Sequence, residues 1–230
     1  MPGTPAIDAL IRLNHASVVA SLVSGLIHDF NNSLLVIGGS VELLEEAQPG
    51  DDPRPRLERI RRQHAAMAGR LRELGGVLKP DGTETRADAR AVVTQACAFR
   101  EAALRRQAVA VQVEDAAGVV VAIPPDHLLQ IVLNLLLNAE AAVAGRERRE
   151  IAWAVVRAGG EVRISVSDSG PGPGPGVRDH LFEPFVTSAP DERAGLGLHV
   201  SRTVAERAGG ALTLAYGPDG TIATLTLPVA

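Results

Sequence analysis

A chain of 230 residues with 46% hydrophobic and 22% charged residues is long enough for one or two globular domains. A net charge of −4 gives no electrostatic reason to expect nucleic-acid binding. No uninterrupted apolar run approaches the ~20 residues of a membrane span, and the N-terminus lacks the features of a signal peptide, so we expect no membrane insertion. The single cysteine, Cys97, excludes an internal disulfide, and it favours a reducing cytoplasmic location.

The first patterned segment has the periodicity of an amphipathic helix with a coiled-coil-like seam. On such a helix His28 lies about 160° away from Leu26, opposite the apolar stripe, and Asn32 lies one turn further on the same outer face. An outward histidine with Asp29 and Asn32 as neighbours indicates a reactive group, while the alternative is a histidine packed in the core. The apolar stripe consists of Val23, Leu26, Phe30, Leu34, Ile37, Val41 and Leu44.

A second apolar stripe follows a turn, QPGDDPRP (residues 48–55), whose glycine and prolines end both helices. The two helices therefore form an antiparallel hairpin, which we assign to residues 1–77. Two helices cannot cover both stripes, whereas a four-helix bundle from two chains can, so we expect a homodimer. The second stripe consists of Leu57, Ile60, His64, Met67, Leu71, Leu74 and Leu78.

After a linker at residues 78–86, helices and strands alternate in a second domain at residues 87–230. Helices mixed with mainly antiparallel strands predict a two-layer α/β sandwich and an α+β fold class for the whole chain. We expect a helix at 87–104, strands at 109–116 and 118–124 with a turn between them, a helix at 126–145 with Asp126 as its N-cap, a strand hairpin at 150–158 and 161–169, a helix at 196–208, and strands at 211–217 and 221–228.

Two clusters in this domain have the character of a ligand site. Asn134 and Asn138 lie four residues apart on the long helix, so both amides can project from one face, although a buried amide pair can also simply satisfy the core. Asp168 ends a strand and begins DSGPGPGPG. A carboxylate there can accept a hydrogen bond from a ring amino group, and glycines let the chain approach a planar ligand. The alternative is a plain loop.

A third cluster is AGLGL (residues 194–198), in which Gly195 and Gly197 open a helix. Backbone amides and the helix dipole can face a phosphate at such a position. Helix-opening glycines are common, so this motif is weak by itself.

The order of these motifs resembles that of sensor histidine kinases over about residues 18–228. The second domain resembles their ATP-binding domain, of the Bergerat type, and the first resembles their dimerisation and histidine-phosphotransfer domain. The resemblance implies an ATP-dependent protein-histidine kinase of two-component signal transduction, with ATP and Mg²⁺. The matching motifs are HDFNN, NLLLNA, DSGPG, FEPF, GLGL and the closing GG…GPDGTIATLTLP.

In the hairpin, the resemblance implies that His28 is the phosphoacceptor, whose neutral imidazole attacks the γ-phosphate of ATP. Asp29 corresponds to the acidic residue that orients the ring and takes its proton. Because adjacent helix residues point about 100° apart, this contact requires a favourable histidine rotamer. Asn32 corresponds to the position that orients water for dephosphorylation of the partner, which implies phosphatase activity as well.

In the second domain, the resemblance implies that Asn138 ligates Mg²⁺ on the ATP phosphates and that Asn134 supports the same site. Related ATPases carry a glutamate one turn before this asparagine to activate water, and asparagine cannot do so, which favours phosphoryl transfer over hydrolysis. The other implied positions are Asp168 for the adenine amino group, Gly170 and Gly172 for the pocket wall, Phe182 and Phe185 for the anchor of a lid, and Gly195 and Gly197 for the phosphates.

The sequence departs from the family pattern in the lid and after NLLLNA. Arg193 stands where a further glycine is usual, Ser188-Ala189 replaces a basic position after FEPF, and Ala141 replaces a frequent charged residue. We expect Arg193 to meet phosphate charge instead.

The leading interpretation is a cytoplasmic sensor histidine kinase that passes phosphate to an aspartate on the receiver domain of a response regulator. The regulator is expected to dock on about residues 33–46 and the facing helix. Residues before about Val18 leave no room for a folded sensor domain, so input is expected from a separate partner or an N-terminal helical extension. The alternatives are a phosphotransfer scaffold with a degenerate ATP site and, less favoured, an ATP-hydrolysing clamp.

Overall fold

The computed structural model describes residues 4–78, 83–114, 118–187 and 194–230. The chain divides into two compact units, Val19–Pro80 and Met1–Val18 with Asp81–Ala230. The first helix, α1 (Thr4–Glu45), contributes residues to both units. This division places residues 1–18 with the second unit, whereas the sequence analysis placed them in the hairpin; the boundaries at 77 and 87 stay a prediction.

The unit Val19–Pro80 is a helical hairpin, as predicted. Helix α1 ends at Glu45 and α2 occupies Arg54–Leu78. The connecting turn is closed by Gln48 and Asp51, since the Asp51 N–H donates to the Gln48 carbonyl at 3.1 Å and the Gln48 N–H donates to the Asp51 carboxylate at 3.0 Å.

The described residues of the predicted apolar stripes are exposed or half-buried in a single chain. The exposed fractions include 53% for Leu34, 46% for Leu57 and 53% for Leu71, and His64 of the second stripe is exposed as well. Leucines in such a row are expected to be covered by another surface. The homodimer would cover them and remains a prediction.

Helix α1 also has a length and composition that would let it cross a membrane. The stretch that meets these two criteria is Ala6–Glu45, near the N-terminus. Polar residues such as Asn14, His28 and Asp29 interrupt this helix, so its sequence contains no unbroken apolar run of that length. Length and composition alone are weak evidence for a span, so the absence of membrane insertion stays an expectation.

The second unit contains a two-layer α/β sandwich, which confirms the predicted fold class. A five-stranded sheet with the order β2-β4-β5-β7-β6 forms one layer, and α3, α4 and α5 form the other. The elements are β1 (Ala87–Asp88), α3 (Ala89–Arg106), β2 (Ala110–Val113), β3 (Val120–Val121), α4 (Pro125–Val143), β4 (Glu150–Ala158), β5 (Glu161–Asp168), a 3₁₀ turn (Arg178–His180), α5 (Gly197–Arg207), β6 (Ala211–Gly217) and β7 (Gly220–Pro228).

Alternating side chains of the central strands face the helices. Ile151, Trp153 and Val155 on β4 are buried, as are Val162, Ile164 and Val166 on β5. This alternation is the pattern of a sheet with one covered face. The predicted hairpins β4–β5 and β6–β7 and the helix α5 are confirmed.

The partners of β2 and β3 differ from a simple strand–turn–strand arrangement. Strand β2 pairs parallel with β4, and β3 pairs antiparallel with β1 in a separate two-stranded sheet. A parallel pair needs a crossover connection, and α4 supplies it between β2 and β4. The sequence pattern identified the strands but carried no information about these partners.

The prediction that Asp126 is the N-cap of the long helix was wrong. Helix α4 begins at Pro125, with Pro124 at the N-cap position and no side-chain cap. Proline suits the first helical turn because its missing N–H would have no intrahelical partner there. Asp126 lies in that first turn instead, where its charge favours the positive end of the helix dipole.

Helix α4 is buried on most sides, and the charge of its buried Glu140 is neutralised by an arginine of the same unit. Thirteen of its 19 residues are buried, so the helix is apolar nearly all round, as expected for a central element. Arg100 of α3 donates to both carboxylate oxygens of Glu140, at 2.9 and 2.6 Å. A buried carboxylate needs such a partner. Burial, with the charge of Glu140, raises the pKa of Cys97 on α3 to about 11, so this thiol stays protonated and unreactive.

Candidate active site

His28 lies on the outer face of α1, as predicted. Its side chain is 53% exposed, and the amide nitrogen of Asn32, one turn further on, lies 3.2 Å from Nδ1. The nearer carboxylate oxygen of Asp29 is 3.6 Å from the same nitrogen, which is too long for a hydrogen bond. The three side chains therefore gather around one nitrogen of the ring, although their roles stay a prediction.

The contact between Asn32 and Nδ1 corresponds to one tautomer of the His28 ring. A carboxamide nitrogen can only donate, so Nδ1 accepts from Asn32 and a neutral ring carries its hydrogen on Nε2. A protonated Nε2 cannot act as a nucleophile. The ring becomes nucleophilic at Nε2 only when the proton moves to Nδ1, the nitrogen that lies 3.6 Å from the Asp29 carboxylate.

Arg70 of α2 forms an ion pair with Asp29 that the sequence analysis missed. Its guanidinium contacts Oδ2 of the carboxylate, whereas Oδ1 is the atom nearer His28. The Asp29 side chain is only 16% exposed, so a cationic partner offsets the cost of its burial. Asp29 and Arg70 also line a cavity of about 220 Å³ on the hairpin. No local motif could have revealed Arg70, which lies 41 residues from Asp29.

In the second unit, Asp168 ends β5 and is half-buried. The Gly170 N–H donates to its Oδ1 at 2.9 Å. Burial raises the pKa of this carboxyl above its ordinary value, while hydrogen bonds from the backbone of Gly170 and Thr221 act in the opposite direction. A carboxylate kept away from water at a strand end is suited to accept a hydrogen bond from a ligand.

Of the glycines that follow Asp168, Gly170 is required by a close contact and Gly172 by its backbone conformation. A Cβ on Gly170 would lie 2.7 Å from the Cβ of Ala142 on α4. Gly172 has φ +69°, and a Cβ there would lie 3.5 Å from Tyr216 and Thr221 side-chain atoms. The loop after Asp168 therefore packs directly between α4 and the β6–β7 hairpin.

Gly220 also places Asp168, and the sequence analysis did not single it out. Its φ is +136°, and a Cβ at this position would lie 1.7 Å from the Asp168 carbonyl oxygen. No larger residue fits without moving the strand end. The glycine of the quoted GPDG turn was the available signal, but its contact with Asp168 depends on the pairing of β5 with β7.

The two asparagines of α4 lie in different environments. Asn138 is half-buried, whereas Asn134 is 4% exposed. Asn134 donates to Ser201 of α5 at 3.1 Å and to Asn14 of α1 at 2.8 Å. A Cβ on Gly197 would lie 3.3 Å from the amide oxygen of Asn134, so this amide lies beside the start of α5. Asn14, far outside the motif, is a contact that sequence reasoning missed.

The residues that flank the predicted lid are fixed to α5 and to each other. His199 of α5 lies with Nδ1 2.9 Å from the Phe182 carbonyl, and the Arg202 guanidinium lies 4.9 Å from the centre of the Phe182 ring. The Phe185 N–H donates to the Gly195 carbonyl at 3.0 Å. A Cβ on Gly195 would lie 2.6 Å from the Phe185 backbone, which explains the glycine.

Phe185 itself is 63% exposed and has a left-handed φ of +67°. A non-glycine residue in this conformation is strained and persists only when its surroundings hold it. Arg193 lies outside the described residues, as does Ser188-Ala189.

The oxygen ligands that this unit offers fit a metal ion that binds together with a phosphate-bearing ligand. Among the described residues, no group of three His, Cys, Asp or Glu side chains could hold a metal. Magnesium often binds through few protein oxygens and completes its shell with phosphates and water. The amide oxygen of Asn138 is the protein ligand that the sequence analysis predicts.

Replacing Asp168 with asparagine tests the half-buried carboxylate. Because its folded-state pKa is raised, the ionised form costs stability at neutral pH, and this cost disappears as the pH falls through the raised pKa. Asp168→Asn should therefore fold at least as stably as the parent at pH 7, measured by thermal unfolding. It should bind a non-hydrolysable ATP analogue roughly 10–100-fold more weakly by calorimetry, because a charge-assisted hydrogen bond is lost.

Asp179→Asn, a change at the exposed 3₁₀ turn, is the matched control and should leave the affinity unchanged within about twofold. An Asp168→Asn protein with unchanged affinity would remove this carboxylate from the nucleotide site.

Comparisons with known proteins agree with both parts of this arrangement. Residues 123–230 match the family of histidine kinase-, DNA gyrase B- and HSP90-like ATPases. The C4-dicarboxylate transport sensor protein DctS of Rhodobacter capsulatus is 29% identical over 96% of this chain and 35% of its own length. The sensor histidine kinase ZraS of Klebsiella oxytoca is 30% identical over 96% of this chain and 48% of its own length.

Among solved structures, the catalytic domain of histidine kinase ThkA covers 63% of this chain and 95% of that domain, with 24% identity and a TM-score of 0.58. At this identity the similarity shows the fold. The chain spans less than half the length of the two relatives DctS and ZraS. The similarity to them nevertheless runs through both the helical hairpin and the α/β sandwich.

Proposed function

We propose that this chain, which belongs to the sensor histidine kinases of two-component systems, transfers the γ-phosphate of ATP to His28 and then to an aspartate of a response regulator. The observation that carries the proposal is the exposed His28 with Asp29 and Asn32 at its Nδ1 atom, in a chain that also has the ATPase-type sandwich.

In the proposed reaction, Asp29 replaces Asn32 as the partner of Nδ1. The ring then carries its proton on Nδ1, and the Nε2 lone pair attacks the γ-phosphorus. The bond from phosphorus to the β–γ bridging oxygen breaks, ADP leaves, and the Nδ1 proton is held by Asp29. Arg70 orients the carboxylate through Oδ2 and leaves Oδ1 for the ring. This is the usual logic of a base that is oriented by a third group.

ATP is proposed to lie between the end of β5 and the start of α5. Asp168 would accept from the adenine amino group, with Gly170 and Gly172 forming the wall. Within the described part of the chain no side chain caps α5, so its first backbone N–H groups, after Gly195 and Gly197, would bind phosphate oxygens. Mg²⁺ supplies charge neutralisation on the phosphates when bound, and Asn138 would hold it.

Several further parts of the proposal follow from family membership. The protein would act as a homodimer, with the exposed stripes of α1 and α2 as the interface. A receiver domain would dock near Ser33 on the hairpin, and Asn32 would orient water for phosphatase activity. A separate partner would provide the sensory input, and the protein would act in the cytoplasm without entering the membrane. Arg193 would add positive charge at the phosphates.

The two alternative functions are less well supported. A scaffold with a degenerate ATP site would have no need for a half-buried Asp168 carboxylate held by the Gly170 N–H. An ATP-hydrolysing clamp would need a base near the nucleotide, and the position one turn before Asn138 is occupied by Asn134.

The proposal is tested by incubation of the full chain with γ-³²P-labelled ATP. Wild-type protein should acquire an acid-labile, alkali-stable label, and His28→Ala should acquire none because the nucleophile is missing. His127→Ala is the matched control, since His127 is an exposed histidine in the first turn of α4, outside both the stripes and the proposed site, and it should keep full labelling. Retention of the label on His28→Ala would refute the assignment.

The role of Arg70 is tested by a double-mutant cycle with Asp29. Arg70→Ala alone should slow labelling about tenfold. A loss of this size corresponds to the interaction energies that are typical of two side chains in contact. In an Asp29→Asn background the same change should have no further effect, since Arg70 acts through the carboxylate. Arg70→Lys should restore part of the rate. Initial labelling rates are measured at saturating ATP.

Arg62→Ala on the same helix is the control. The Arg62 side chain is 69% exposed, and among the described ion pairs it has one partner, the exposed Glu58 at 4.0 Å. If the labelling rate of the Arg70 and Asp29 double variant instead falls by the product of the two single-variant losses, Arg70 acts independently of Asp29.

A further inference from the structure

The first turns of α1 form a buried polar contact with the nucleotide-binding unit, to which they belong. Asn14 is 4% exposed. Its amide nitrogen donates to Asn134 Oδ1 at 3.2 Å, and its oxygen accepts from Asn134 Nδ2 at 2.8 Å and from Gln130 Nε2 at 3.0 Å. Gln130 also donates to the Ile11 carbonyl at 3.1 Å. We call residues 8–18 the N-terminal segment.

These amides hold the N-terminal segment together with apolar side chains such as that of Val18. Val18 is buried at 5% exposure, and Gln130 at 5%. The Arg207 guanidinium donates to Asp8 at 2.8 Å, but both side chains are 42% exposed, so this ion pair contributes little. Buried amides that lose a partner pay a desolvation cost, so Asn14, Asn134 and Gln130 favour the docked segment together.

Both side-chain N–H groups of Asn134 already donate to acceptors within the unit. A carboxamide has two N–H hydrogens, and those of Asn134 are directed to Asn14 Oδ1 and Ser201 Oγ. A nucleotide phosphate carries only acceptor oxygens. Asn134 therefore cannot donate to a phosphate at the neighbouring start of α5 while Asn14 occupies one of these hydrogens.

We propose that the N-terminal segment is an intramolecular docking element whose Asn14 competes with the nucleotide for the Asn134 amide. The inference rests on the proposed function, because it assigns regulation to that same ATP site. Release of Asn14 frees one N–H of Asn134 for the phosphates. Since α1 continues from this segment towards His28, a displacement of α1 by an input partner would raise nucleotide affinity.

Thermodynamic linkage makes the effect reciprocal. If docking of the segment weakens nucleotide binding, nucleotide binding weakens docking by the same factor. The proposal therefore predicts a change in the segment itself, which can be observed without any phosphoryl transfer.

The first arm of the test measures the affinity of the full chain for a non-hydrolysable ATP analogue with Mg²⁺ by calorimetry. Asn14→Ala should bind about tenfold more tightly than wild type, within the range typical of coupled sites. Gln130→Ala removes the other donor to Asn14 and should also bind the analogue more tightly than wild type. This second variant tests the proposal even if Asn14→Ala folds poorly. Ser17→Ala, an exposed position on the same segment, is the matched control and should bind as wild type does.

The second arm follows hydrogen exchange of the N-terminal segment in wild-type protein. Addition of the analogue should speed exchange in residues 8–18, and Asn14→Ala should show fast exchange without it. Equal or weaker binding by both variants would overturn the competition while leaving the kinase function intact. Slower exchange on addition of the analogue would overturn it as well. If neither wild type nor variants bind the analogue, the proposed function fails and the competition fails with it.

Discussion

The burial of α4 is the constraint on which the nucleotide-binding unit depends. The sheet, α3, α5 and the first turns of α1 enclose most of this helix, so each of its buried polar side chains needs a partner from the protein. Arg100 satisfies Glu140, and Asn14 satisfies both Gln130 and Asn134. The same burial brings Ala142 against Gly170, which fixes the loop after Asp168. Packing and site geometry are therefore consequences of one buried helix.

Functional groups in both units carry a cost in stability. Asp168 is half-buried and its pKa is raised by that burial, and Asp29 is partly enclosed and needs Arg70. Phe185 holds a left-handed backbone at the edge of the lid. These three residues are also the ones with proposed roles at the nucleotide, at the imidazole and in the lid. Such a cost in folding stability is expected where a site is formed before its ligand binds.

Much of the fold could be predicted from the sequence because its signals are local. The helical hairpin, the β4–β5 and β6–β7 hairpins and α5 depend on periodicity and turn residues within about 20 residues of chain. The outward direction of His28 followed from helix geometry in the same way. The strand partners of β2 and β3 could not be predicted, because a crossover joins segments whose patterns carry no register information. Asp126 was misplaced because two prolines already start α4.

The parts of the site that escaped prediction are contacts between distant segments. Asp29 and Arg70 lie 41 residues apart, and Asn14 and Asn134 lie 120 residues apart. A motif supplies one side of such a contact and gives no indication of the other. Gly220 was visible as a turn glycine, yet its closeness to Asp168 follows from strand register.

The central claim is that Asp29 receives the Nδ1 proton of His28 while Nε2 takes the phosphate. The most direct measurement is ³¹P–¹⁵N correlation NMR of the full chain, labelled with ¹⁵N-histidine and phosphorylated with ATP. A single phosphorus bonded to Nε2 of His28 is expected. Phosphorus bonded to Nδ1, or to another residue, would contradict it, because the atoms around Nδ1 would then not be the base and its support.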